Sequence, residues 1–142
     1  MEESYNLQRF IDAQQYTFSA AYREIEAGRK TGHWMWFIFP QLAGLGYSET
    51  AQKYGITNLD EAHSYLQNSI LGERLIGITL LLAGIKNKTA HDIFGSPDDL
   101  KLKSCMTLFS LVKNTHPVFE QVLKHYYGGQ KDTKTLQLLG RK

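Results

Sequence analysis

Residues 69–85 read SILGERLIGITLLLAGI, and the spacing of leucine and isoleucine in this stretch decides the fold class. Leu71, Leu75, Ile78, Leu82 and Ile85 recur at steps of three and four, while Ile70, Ile76, Leu80 and Leu81 spread apolar surface over most of the remaining circumference. A helix that is apolar nearly all round is expected at the centre of a domain, so this segment, opened by Ser69, reads as the spine. Gly77 reads as the point where another helix crosses it closely.

Helical punctuation continues on both sides. Upstream, Leu7, Phe10, Ile11, Gln14, Phe18, Ala21 and Ile25 share one face of a segment from about Asn6 to Ala27, with a break near Gln15–Thr17 and a stop at Gly28. Ser48 can cap a short helix that Gly55 ends, and Asn58 with Glu61 makes a capping-box-like start for a helix to about Gln67. Downstream, Thr89 with Asp92 predicts a capped turn ending at Gly95. Ser96-Pro97-Asp98-Asp99 then offers a cap, a proline at the first helical position and two acids at the positive end of the helix dipole. Pro117 can open a helix stopped by Gly128-Gly129, and Asp132 can cap a last one through Leu139. No stretch alternates with period two between tight turns, as hairpins require. The expectation is an all-α fold: a compact single-domain bundle of about seven helices over residues 1–142, with one aromatic, glycine-rich connecting segment.

Composition agrees with a globular chain. It has 142 residues, 42% hydrophobic and 21% charged, enough for a core without staples. Sixteen basic against fourteen acidic side chains leave +2, too little for a dedicated nucleic-acid binder. No apolar run is long enough to span a bilayer, and Met1-Glu2-Glu3-Ser4 lacks the basic-then-apolar pattern of a secretory signal, so neither a membrane role nor export is expected. The single cysteine, Cys105, cannot form an intrachain disulfide, which fits a cytoplasmic protein.

The segment Gly28–Ser48, GRKTGHWMWFIFPQLAGLGYS, breaks the helical rhythm. Its apolar run from Trp34 to Phe39 reads as a buried strand or a buried helical stretch, limited by Pro40. As structure, it is a core plug of large rings. As function, it is the lining of a pocket, because Arg29, Lys30 and His33 precede it and Gly44-Leu45-Gly46 leads directly into the helix at Ser48. A glycine loop at a helix start presents free amides to a phosphate or carboxylate, and nearby basic residues add charge. The stretch lacks the lysine of a Walker loop and the three-glycine dinucleotide spacing.

These residues carry a resemblance. The run GRKTGHWMWFIFPQLAGLGYS, the stretch Ala62–Leu75 and the later IFGSPDDLKLKSCMTLF closely resemble an uncharacterised bacterial and fungal family, a domain of unknown function whose members are often labelled calpastatin in genomes. The resemblance covers almost the whole chain and implies a small, mostly helical domain without implying an activity. Calpastatins themselves are long and disordered, which this globular composition does not match. Two positions depart from the family pattern: Tyr47 stands where a basic residue is common, and Cys105 where a second small residue follows Ser104.

The remaining chemistry is sparse. The five histidines show no zinc-ligand spacing, so no metal and no cofactor are expected. His33 is either a hydrogen-bonded structural residue or an acid–base group. Asp98 and Asp99 serve either the helix dipole or, with Lys101, a pocket shared with the Gly44–Ser48 loop if the two helix starts are neighbours. Cys105 reads as a buried, inert thiol. The leading expectation is a small anionic ligand, nucleotide- or ADP-ribose-like, held by Arg29, Lys30, His33, Trp34, Trp36, Gln41, Gly44, Gly46, Ser48, Asp98, Asp99 and Lys101, with hydrolysis left open. The alternative is a non-catalytic protein–protein interaction module that uses exposed aromatics as anchors.

Overall fold

The structure of the protein, a computed structural model, describes residues 5–141; Met1–Ser4, the residues behind the export expectation, lie outside them. Ten helices and no strand form among the described residues: α1 (Gln8–Gln14), α2 (Phe18–Glu26), α3 (Met35–Ile38), α4 (Glu49–Lys53), α5 (Leu59–Gln67), α6 (Ser69–Ala83), α7 (Ala90–Phe94), α8 (Asp98–Ser110), α9 (Val118–Tyr127) and α10 (Thr133–Leu138). The count exceeds the expected seven because the first helix divides in two at Gln15–Thr17, the aromatic run closes a single turn of its own, α3, and the capped turn after Thr89 closes as the helix α7.

The caps follow the sequence closely. Ser48, Asn58 and Asp132 each accept from the backbone N–H three residues on, and Thr89 with Asp92 completes a capping box. Two starts differ from expectation. Asn68, rather than Ser69, caps α6, its side-chain oxygen accepting from the amides of Ile70 and Leu71. At α8 Pro97 occupies the cap position, where no side-chain hydrogen bond is made, and the Gly95 carbonyl accepts from the Asp99 amide instead.

α6 is the connecting spine, packing against α2, α5 and α9, yet it is not buried all round. Leu71, Leu75, Ile78 and Leu82 face inward, while Ile70 and Leu80 are exposed. A small domain has too few elements to enclose a whole helix. The most enclosed helix is α8, buried continuously from Ser104 to Phe109 between α5, α7, α9 and α10. Gly77 meets nothing within 4 Å, so it marks no crossing; the close approach lies at Gly72, where an added Cβ would stand 2.1 Å from the Leu66 carbonyl oxygen.

Aromatic rings run through the core in sequence, with Phe10 edge-on to Tyr65 at 5.1 Å, Tyr65 against Phe109 at 5.4 Å and Phe109 against Phe119 at 5.7 Å. The buried Tyr65 hydroxyl accepts from Gln14 Nε2, which also donates to the Phe37 carbonyl, so burial of these polar groups is compensated. Beside this core, the Gln41 carbonyl accepts from the Ile56 amide and the Ile56 carbonyl from the Ala43 amide, tying the connecting segment to the end of α4.

Candidate functional site

The turn after α2 is folded round one carboxylate. Glu24 Oε1 accepts from the amides of Thr31 at 2.7 Å and Gly32 at 2.8 Å and from the Trp34 indole at 2.9 Å. Burial opposes the Glu24 charge, but these three donors outweigh it and hold the carboxyl below its ordinary range. Trp34 is thereby fixed in the core against Phe39 and Phe94.

The single turn of α3 then sends the two tryptophans in different directions. Met35 and Ile38 are buried with Trp34, whereas Trp36 is half-buried and faces outward. Lys101, from the second turn of α8, places its ammonium 4.8 Å from the Trp36 ring centroid. Lys30 does the same over Trp34 at 5.0 Å. Between these two ammonium groups lies Asp98, 2.7 Å from Lys30 and 3.6 Å from Lys101. One carboxylate thus serves two lysines, tightly on one side and loosely on the other.

Trp36, Gln41, Gly46, Ser48 and Lys101 line a cleft of about 450 Å³, so the structure brings the glycine loop and the start of α8 together. Gly44 turns the loop at φ +98° without lining the cleft. Gly46 lies where a Cβ would fall 2.7 Å from that of Ala51, so the loop can press against α4 only without a side chain there. Ser48 Oγ accepts from the Ala51 amide at 3.1 Å, the cap of α4. α4 has five residues, so its dipole is short, and the positive charge of the cleft comes from lysines instead.

Eight cleft residues were not among those expected, and Tyr47, Leu100, Asp132 and Lys134 are the ones that bear on its chemistry. Asp132 and Lys134 belong to the start of α10, which is seated on α8 by a hydrogen bond from the Asp132 amide to Thr107 Oγ1 at 2.8 Å. The sequence marked Asp132 as a cap and nothing more, because its distance along the chain from residue 36 hides the contact. Tyr47 is 82% exposed and offers an open ring at the rim.

The other expected residues lie apart. Arg29 stands with Lys88 and His91 along a separate, polar depression between the Gly28 turn and α7. Lys30 lines that depression, and Asp98, which does not itself line the cleft, links it to Lys101. His33 is exposed on its turn and lines neither hollow. Asp99 accepts from the Leu100 amide and lies 3.5 Å from His91, away from the cleft. Among the described residues no three His, Cys, Asp or Glu side chains gather as a metal site, and no helix is long and apolar enough to cross a membrane.

An all-helical fold with a lysine-flanked aromatic cleft defines a class of small helical domain. The chain belongs to the family described as a protein of unknown function, DUF1810, whose pattern matches residues 4–139. It is similar to the conserved hypothetical protein Rv1873 from Mycobacterium tuberculosis, whose crystal structure is 46% identical, covers 99% of this chain and 100% of its own, and superposes with a TM-score of 0.95. No curated protein matches the chain.

Proposed function

We propose that this domain binds a small anionic ligand carrying a ring, of the nucleotide or ADP-ribose kind, in the cleft between the Gly44–Ser48 loop, α8 and the start of α10. The observation that carries the reading is the meeting of Lys101 and Lys134 in one cleft walled by Trp36 and Tyr47. Two lysines supply the attraction for an anion, and Gln41 supplies a donor and an acceptor to orient it. Trp36 already has Lys101 close to its ring, so its part is to place that ammonium. Tyr47, at the rim, is the ring left open for stacking. Binding is the extent of the reading: Ser48 and Ser104 hydrogen-bond to backbone groups of their own helices, and no histidine lines the cleft.

The test is a thermal-shift screen against nucleotides, ADP-ribose, sugar phosphates and inorganic phosphate. A ligand that binds only the folded chain raises the melting temperature, and Lys101→Ala removes the rise. A silent panel refutes the reading.

A second reading has its own observation. Tyr47 and Leu100 on the cleft and Leu138 beside Gly44 are 82%, 59% and 46% exposed, a concentration of apolar surface that suits a protein partner. This reading expects a hydrophobic dye to bind the native chain and to be lost from Leu100→Ser, alongside a silent ligand panel.

A further inference from the structure

Charge at the cleft is set by few groups. Lys101 and Lys134 line it together with Asp132, and Asp98 stands behind Lys101 while holding Lys30. Asp132 Oδ2 accepts from the amide and hydroxyl of Thr135, which holds its carboxylate at the start of α10. Three ammonium groups therefore face two carboxylates, and the set as a whole carries one surplus positive charge. The wall around it is largely apolar, from Trp36, Leu45, Ala51, Pro97 and Leu100.

We propose, resting on the ligand-binding reading above, that the cleft selects singly charged anions with a ring or other apolar body, a phosphodiester or a carboxylate, and that Asp98 sets this limit. The geometry gives the reason. Asp98 holds Lys30 at 2.7 Å and Lys101 at 3.6 Å, so it stays close when a ligand approaches Lys101. A singly charged ligand completes the neutralisation of the three lysines. A second negative charge meets the Asp98 carboxylate beside a largely apolar wall, where repulsion is stronger than in bulk water. Asp98 is thus a specificity-determining residue that acts through Lys101.

The experiment is calorimetry on the full chain with two probes that share a base and a ribose: adenosine 3′,5′-cyclic monophosphate, singly charged, and adenosine 5′-monophosphate, doubly charged at about pH 8. The cyclic probe binds the natural chain more tightly, and Asp98→Asn shifts the affinity ratio about threefold or more toward the doubly charged probe. Lys134→Gln, at an exposed position that does not threaten folding, shifts the ratio the opposite way. An affinity ratio unmoved by both variants, or a natural preference for the doubly charged probe, overturns the proposal while leaving the site in place if Lys101→Ala still weakens binding. Binding of neither probe, or binding indifferent to Lys101→Ala, overturns the site and this proposal with it.

Discussion

The Trp34 indole donates to Glu24 Oε1 at 2.9 Å, and the same oxygen takes the amides of Thr31 and Gly32. One carboxylate from α2 thus folds the turn that sets the direction of the aromatic segment, and through it the side on which Trp36 emerges. Glu24→Gln should cost about 1–3 kcal/mol near neutral pH, because it removes the charge from these hydrogen bonds. The folded carboxyl sits below its ordinary value of 4.5, so its stabilisation is complete above that value and fades as the pH falls through the lower folded one. Urea midpoints of the natural chain and the variant should therefore converge on acidification; a gap that is constant with pH would contradict this.

Two glycines on α6 should respond oppositely to alanine. At Gly72 an added Cβ would stand 2.1 Å from the Leu66 carbonyl oxygen, a backbone atom that cannot step aside. Gly72→Ala should destabilise by about 3 kcal/mol or more, since α5 and α6 must separate. At Gly77 nothing lies within 4 Å, so Gly77→Ala should stabilise the helix by about 0.5–1 kcal/mol. Denaturant midpoints of the two variants, one falling and one rising, are the check.

Asn68 joins α5 to α6 and caps the longer helix through the Ile70 and Leu71 amides. Replacing it with alanine should cost about 1 kcal/mol or somewhat more, while Ser69→Ala should change little, since Ser69 is exposed in the first turn. Equal losses in thermal melts of the two variants would contradict the assignment of the cap.

Cys105 lies fully buried in α8, and burial pushes its thiol well above the ordinary range. Labelling of this thiol should be slow in the native chain and should accelerate in urea in step with loss of the helical circular-dichroism signal. Complete labelling on mixing, without denaturant, would show that α8 is not enclosed as described.

The helices were legible because what defines them is local. Asn58, Thr89 and Asp132 cap amides three residues away, and the apolar spacing of α2, α6 and α9 reports the face each presents to the core. The candidate site was legible only in part. Gln41, Gly46, Ser48 and Trp36 are close in sequence, so their grouping could be anticipated, and the neighbourhood of Lys101 could be posed as a condition. The separation of Arg29 and His33 from them could not, because it depends on how the Glu24 carboxylate bends the turn.

By itself the sequence determined an all-α chain, its caps and an aromatic, glycine-rich interruption, all set by interactions within a few residues. Tertiary structure decided that Trp34 is core and Trp36 is cleft, that α8 rather than α6 is the most enclosed helix, and that Lys134 faces the same space as Lys101. Those outcomes depend on packing between elements distant along the chain, where burial and a shared carboxylate, rather than local spacing, fix each side chain's surroundings.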